Sequence, residues 1–160
     1  MAKKINKFSK KDIQTIQDFV YSINKNLIIK NSEYKRFECD IPNNTIYLGI
    51  KNNNKKDNAL FMKWFKQQPE YININNKLLS LLHEIGHFQT FNQNEFDIRN
   101  ELENAYCFMY EQDIISYEQL NFAYWNLANE RKATMWGIQF YITHTKECKD
   151  LITKLKLRKY

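Results

Sequence analysis

The sequence contains few of the residues that interrupt helices, with only three glycines and two prolines among 160 residues. A turn-rich β protein needs more of both, so their scarcity favours long helices. Cysteine is also scarce. Cys39, Cys107 and Cys148 form no Cys-x-x-Cys pair, and such an odd, widely spaced set indicates a reducing compartment rather than a disulfide framework. We therefore expect a cytoplasmic protein.

Long hydrophobic runs are absent as well. No stretch approaches the roughly 18 apolar residues of a membrane helix, and residues 1–8 lack the apolar core of a signal peptide. We expect neither a signal peptide nor contact with a membrane. Hydrophobic residues make up 43% of the chain, which is enough to form a core. We expect residues 1–160 to form a single domain.

The positive charge of the chain is located at its two ends. The formal net charge is +6, but residues 1–11 carry +5, residues 146–160 carry +4, and the segment between them carries −3. Basic ends of this kind can attract nucleic acid or an acidic partner. The simpler interpretation, which we favour, is that they are solvated ends that keep the protein in solution.

Two of the three histidines lie in the segment His-Glu-Ile-Gly-His at positions 83–87. The leucine-rich run before it predicts a buried helix over about 76–91. On a helix His83 and His87 lie one turn apart on the same face, so both imidazoles can reach one zinc ion. Glu84 can then take a proton from a water on that ion. This is the HExxH arrangement of metalloproteases.

A catalytic zinc site normally has three protein ligands and a water, so the two histidines require a third residue. The metzincin continuation of the motif needs Gly at position 90 and His at position 93, where this chain has Thr90 and Gln93. That class is excluded, and carboxylates become the main candidates. The candidates are the carboxylates of Glu130, Glu101 and Glu103 and the imidazole of His144.

The segment Asn-Glu-Arg-Lys-Ala-Thr at positions 129–134 resembles the Asn-Glu-x-x-small-Asp segment of thermolysin-like gluzincins. Together with the motif helix, it also resembles the Glu-x-x-Ala segments of the small ImmA/IrrE-type peptidases, many of which are encoded by phages and mobile elements. The resemblance covers roughly residues 34–140. It implies a zincin-like fold and one zinc ion bound by His83, His87 and Glu130.

The chain departs from this family pattern in three respects. Thr134 stands where the pattern has an Asp that would orient a ligand histidine, so zinc affinity is expected to be weaker. The step of 43 residues from His87 to Glu130 is long, although a helix near 98–112 can fill it. A rival Glu-x-Glu segment, at positions 101–103, lies inside that step.

We expect an α+β fold that is mostly helical, with a small sheet packed on the motif helix. A Pro-Asn-Asn turn at 42–44 between two alternating runs predicts a hairpin at about 35–50. Ser9 and Ser116 are predicted helix caps. The other predicted elements are helices at about 10–25 and 59–67, strands at 27–29 and 71–74, one long helix from Ser116 through Glu130, and a last basic helix containing Leu151, Ile152 and Leu155.

The expected activity is hydrolysis of peptide bonds, with Glu84 as the general base. A donor to the oxyanion is also needed, and the candidates are Tyr106, Tyr110, Tyr141 and His144. In the enzymes that this chain resembles, an edge strand binds extended peptide, and the 45–50 strand is predicted to do so here. The resemblance also implies a narrow protein substrate.

Two other functions remain open. The first is a catalytically inactive zinc-binding module with a regulatory role, in which the basic ends contact nucleic acid. The second is a helical interaction protein in which the motif occurs by chance. Metal binding without turnover would indicate the first, and absence of bound metal the second.

Overall fold

The computed structural model describes residues 7–33, 36–49, 51 and 59–157. In these ranges the chain is mostly helical with one small sheet, which confirms the α+β prediction. Parts of the two basic ends, residues 1–6 and 158–160, lie outside the described residues. The helices are α1 (Lys10–Tyr21), α2 (Ala59–Phe65), α3 (Asn76–Gln89), α4 (Gln93–Glu111), α5 (Tyr117–Trp125), α6 (Ala128–Thr143) and α7 (Thr145–Leu155), and the strands are β1 (Ile28–Asn31), β2 (Glu38–Asp40) and β3 (Thr45–Leu48).

The sheet contains the predicted hairpin and places β3 at its centre. β2 and β3 pair antiparallel, and Asn44 in the turn adopts a left-handed conformation with φ 49°, which asparagine tolerates. β1 pairs parallel with β3, giving the order β1-β3-β2. The prediction that the 45–50 strand offers a free edge is therefore wrong, because β3 is paired on both sides. In the described part of the chain β2 is an edge strand, and it packs against α3.

Helix α3 carries the motif through the centre of the core. The side chain of Asn75 caps it by accepting hydrogen bonds from the backbone N–H groups of Lys77 and Leu78. The apolar residues before and within the motif pack into the core, which is why this stretch forms a buried helix. The buried apolar residues of α3 are Leu78, Leu79, Leu81, Leu82 and Ile85.

The strand predicted at 71–74 does not form. Tyr71 closes a turn by donating its backbone N–H to the Gln68 carbonyl, and none of the described strands pairs with this segment. Ile74 is nevertheless buried in the core. The alternation of apolar and polar residues therefore reflects side-chain packing without backbone pairing.

The long helix predicted from Ser116 through Glu130 is divided into α5 and α6. Ser116 forms the predicted capping box with Gln119. The helix then ends at Asn126, whose side chain donates to the Phe122 carbonyl, and Leu127 is extended and buried. Burial of Leu127 turns the chain so that Glu130 lies in the first turn of a new helix, α6.

The two terminal helices pack against each other on the far side of the core. α1 begins with the predicted capping box of Ser9 and Asp12 and ends at Tyr21. α7 buries Cys148, Leu151 and Leu155. None of the helices in the described ranges is both long and apolar enough to cross a membrane.

Candidate metal centre

The centre is built where α3 and α6 approach most closely. Two of the three glycines, Gly86 and Gly137, lie at this contact. A Cβ added to Gly86 would lie 2.4 Å from the backbone oxygen of Ala133, and one added to Gly137 would lie 3.1 Å from Cβ of Leu82. Gly86 of α3 faces Ala133 of α6, and Leu82 of α3 faces Gly137 of α6, so the two helices run antiparallel. Glycine at these positions lets the two backbones approach.

This approach brings His83 and His87 of α3 against Glu130 of α6. His83 Nε2 lies 3.1 Å from His87 Nε2 and 3.1 Å from Glu130 Oε2, and His87 Nε2 lies 3.4 Å from the same oxygen. The Glu130 side chain is only 3% exposed, whereas each histidine side chain is 14% exposed. The structure thus brings together the three residues that the sequence predicts as zinc ligands.

The spacing of these three atoms fits a tetrahedral ion. Zinc bonds of about 2.0–2.1 Å at tetrahedral angles place neighbouring ligand atoms about 3.3 Å apart. The observed separations of 3.1, 3.1 and 3.4 Å match this value. Two imidazoles and one carboxylate are also a ligand set that catalytic zinc uses, and they leave a fourth position for water. The residues therefore fit a zinc ion.

Thr134 orients the imidazole of His83. Its hydroxyl donates to the backbone carbonyl of Glu130 at 3.0 Å and lies 3.0 Å from His83 Nδ1. A hydroxyl has one hydrogen to donate, so toward His83 it accepts, and Nδ1 carries the proton. Nε2 is then the nitrogen that faces His87 and Glu130, and it can give up its own proton to bind a metal. Thr134 thus fixes the histidine tautomer that a metal requires, without the carboxylate of the family pattern.

Several polar groups surround the Glu130 carboxylate. Arg99 Nε lies 3.8 Å from Oε1, and Asn129 donates to the same oxygen at 3.3 Å. The Arg99 guanidinium also donates to the Tyr124 hydroxyl at 2.9 Å, and burial raises the pKa of that phenol. Burial alone would raise the pKa of Glu130, but hydrogen bonds from His83 and His87 hold it well below its usual value. Glu130 is therefore an anion in a buried position.

Glu84 lies next to the three ligand candidates and is only 9% exposed. Burial raises the pKa of its carboxyl group, although the nearby charges of His83 and His87 oppose this effect. The Cys39 sulfur lies within 4.8 Å of a Glu84 carboxylate oxygen. A carboxylate with a raised pKa is better matched to proton transfer near neutral pH than an exposed one.

The site opens into a cavity of about 980 Å³. It is lined by Glu84 and the three ligand candidates, from α3 and α6, and by side chains of α4 and α5. Much of the remaining wall is aromatic or apolar, which suits the side chains of a peptide. The aromatic and apolar residues along the wall include Phe37, Phe61, Phe91, Phe96, Tyr106, Tyr117, Leu120, Tyr124 and Trp125.

The other candidate ligands, Glu101, Glu103 and His144, do not belong to the group formed by His83, His87 and Glu130 among the described residues. Glu103 lines the cavity but pairs with Arg99 at 2.9 Å, and Glu101 is exposed on α4. His144 is exposed at the junction of α6 and α7 and stacks on Phe140. One of the four candidate oxyanion donors, Tyr106, is among the described residues that line the cavity. The other three, Tyr110, Tyr141 and His144, do not line it.

Three residues of the centre were not predicted: Cys39, Arg99 and Tyr124. None of them belongs to a local motif. The signal for Cys39 is its place in an alternating strand pattern, which puts it on the same face as Phe37. The signal for Arg99 is that it is the sole basic residue among seven acidic ones between positions 93 and 118. Tyr124 gives no such signal.

Comparison with protein-family models, with curated proteins and with solved structures finds no match to this chain.

Proposed function

We propose that the protein is a zinc-dependent peptidase of zincin-like fold, with one zinc ion bound by His83, His87 and Glu130. The observation that carries this proposal is the convergence of two imidazole nitrogens and one buried carboxylate oxygen at tetrahedral spacing, beside the buried Glu84. The resemblance of the two motifs to the ImmA/IrrE-type peptidases supports the same function.

The reaction divides between the metal and the side chains. A bound zinc ion lowers the pKa of a water toward about 7 and polarises the scissile carbonyl. Glu84 accepts the proton of the attacking water and returns it to the leaving amine. Thr134 keeps the proton of His83 on Nδ1 throughout. Tyr106, on the cavity wall, is the candidate donor to the oxyanion.

The substrate is proposed to bind in an extended form along β2. This strand is an edge of the described sheet, and it lines the cavity beside the metal centre. A peptide added to β2 would have its side chains directed alternately toward the aromatic wall. A narrow protein substrate and a cytoplasmic location belong to the same proposal and depend on the family resemblance and on the unpaired cysteines.

The test is Glu84→Gln, assayed with a proteome-derived peptide library read by mass spectrometry. Glu101→Gln, on the exposed face of α4, is the matched control. The zinc content of Glu84→Gln should equal that of the wild type, while cleavage should fall by about 10²–10⁴-fold or more. Equal cleavage by wild type and Glu84→Gln would indicate a contaminant. Loss of zinc together with activity would give Glu84 a structural role.

The alternative is a zinc-binding module without turnover, which regulates or contacts a partner. Thr134 favours it, because a hydroxyl raises the basicity of His83 less than a carboxylate would. Nucleic acid is the candidate partner through the basic ends. Salt-dependent binding to DNA that disappears on removal of residues 1–11 or 146–160, with no cleavage of the peptide library, would support this function.

A further inference from the structure

The two oxygens of the Glu130 carboxylate face different groups. Oε2 lies 3.1 Å from Nε2 of His83 and 3.4 Å from Nε2 of His87. Oε1 instead accepts a hydrogen bond from the Asn129 side chain at 3.3 Å and lies 3.8 Å from Nε of Arg99. One oxygen is therefore turned toward the histidine nitrogens, and the other toward an amide and a guanidinium.

The Arg99 guanidinium is held in place through its two terminal nitrogens. Nη1 donates to Asn100 and pairs with Glu103, each at 2.9 Å, and Nη2 donates to the Tyr124 hydroxyl at 2.9 Å. The group also lies over the rings of Phe96 and Tyr124, whose centroids are 5.9 and 5.3 Å away. A planar guanidinium that is bound on several sides has little freedom to turn.

The remaining nitrogen of this guanidinium, Nε, is buried beside Glu130. Its N–H group forms no hydrogen bond with any residue in the described ranges. A buried donor without a hydrogen bond is costly and is rare in native proteins. If the gap of 3.8 Å to Oε1 of Glu130 closes to about 2.9 Å, this donor gains a charge-assisted hydrogen bond.

We propose that Arg99 is a positioning residue, which keeps Glu130 a one-oxygen ligand of the metal. This inference rests on the proposed function. Arg99 and Asn129 hold Oε1, so that Oε2 alone is presented together with the two histidine nitrogens. A carboxylate can also bind a metal through both oxygens. The second oxygen would raise the coordination number and crowd the position that a catalytic zinc keeps for water.

Glu103 is a candidate ligand by sequence, but its place in the structure gives it another task. It lies one turn after Arg99 on α4 and pairs with it at the cavity wall. The other groups that hold the guanidinium also belong to α4 and α5. Arg99 therefore makes the position of a ligand on α6 depend on how α4 and α5 are packed.

The experiment uses the full-length, cobalt-substituted wild type and three variants. Arg99→Met removes the charge and the donors but keeps a long side chain, and Arg99→Lys keeps the charge. Arg131→Met is the matched control. Arg131 follows Glu130 on α6 and pairs with Glu70 at 3.0 Å, and neither member of this pair is among the described residues that line the cavity. Visible absorption per bound cobalt reports the coordination number, because four-coordinate cobalt absorbs more strongly than five-coordinate cobalt.

The wild type and Arg131→Met should show the strong visible absorption of a four-coordinate site. In Arg99→Met the absorption per bound cobalt should weaken. Its zinc affinity, measured by competition with a chelating dye, should fall by about 10–100-fold. Arg99→Lys should recover part of both losses. Urea denaturation of the metal-free variants separates these effects from a loss of folding.

Weak, five-coordinate absorption in the wild type would overturn the inference, whether or not Arg99→Met folds. Unchanged absorption in Arg99→Met would overturn it even if zinc affinity falls, because Arg99 would then contribute stability alone. An equal loss in Arg131→Met would overturn it as well. Each of these results would leave the proposed zinc site standing, whereas a wild type that binds neither cobalt nor zinc would overturn the proposed function itself.

Discussion

The cavity has two walls that differ in how they are packed. The wall of α3 and α6 is part of the core, and its helices approach closely enough to require glycine at Gly86 and Gly137. The wall of α4 and α5 contains no buried residue, and the outer face of α4 leaves Ile98 56% and Phe108 60% exposed. All three proposed zinc ligands lie on the first wall.

The difference separates the tasks of the two walls. Metal geometry requires atoms held to within tenths of an ångström, which a tightly packed helix pair can provide. A wall with few buried contacts has a lower free energy of local opening, which suits entry of a substrate. Arg99 joins the two walls, because it lies on α4 and approaches Glu130 of α6.

The largest effect is expected from closing the space between α3 and α6. Gly86→Ala places a Cβ 2.4 Å from the Ala133 oxygen, so the helices must separate. We expect a loss of about 3 kcal/mol in the free energy of unfolding, measured by urea denaturation. The matched enlargement on the other wall, Ala105→Leu on the exposed face of α4, should cost less than about 0.5 kcal/mol. Equal losses would contradict the division into two walls.

Removing the hydroxyl of Thr134 should weaken the metal site and leave the fold intact. Thr134→Val keeps the side-chain shape but leaves His83 Nδ1 without its acceptor. We expect zinc affinity to fall by about 10–100-fold in competition with a chelating dye. Thr134→Ser, which retains the hydroxyl, is the control and should fall much less. An unchanged affinity in Thr134→Val would show that the hydroxyl does not orient the ligand.

The pH dependence of zinc binding should follow from His83. Burial lowers the pKa of this imidazole, but its hydrogen bond to Glu130 and the charge of Glu84 raise it above 6.5 overall. Without metal, the proton on His83 stabilises the fold below pH 6.5, and this stabilisation is lost as the pH rises through the raised pKa. Zinc must displace that proton, so its affinity should fall by about tenfold per pH unit below the raised pKa. Affinity that is constant from pH 8 to pH 6 would contradict this coupling.

The smallest effect is expected on the outer face of α4. Phe108→Ser removes a side chain that is already 60% exposed, so the free energy of unfolding should change by no more than about 0.5 kcal/mol. Leu82→Ala, in the packed wall, should cost about 3 kcal/mol in the same thermal or urea experiment. A large loss in Phe108→Ser would mean that this face is covered in solution.

Features encoded by local patterns could be predicted from the sequence. The motif helix follows from its leucine-rich run, and the capping boxes at Ser9 and Ser116 follow from the residue three positions later. The hairpin follows from its turn. These signals depend on neighbours within a few residues, so they are present in the sequence itself.

Features that depend on distant contacts could not be predicted. The break between α5 and α6 contains neither glycine nor proline, and it arises because Leu127 is buried by tertiary packing. The parallel pairing of β1 with β3 joins strands that are not adjacent along the chain, so the edge strand was wrongly assigned. Arg99 and Tyr124 approach Glu130 only after α4, α5 and α6 have packed together.

The most direct test of the central claim is the zinc content of untagged protein, measured by elemental mass spectrometry. Wild type and Glu101→Ala should each hold about one zinc per chain, and Glu130→Ala should hold much less. Zinc that is unaffected by Glu130→Ala would show that another residue is the third ligand. No metal in the wild type, even after zinc is added back, would contradict the metallopeptidase function.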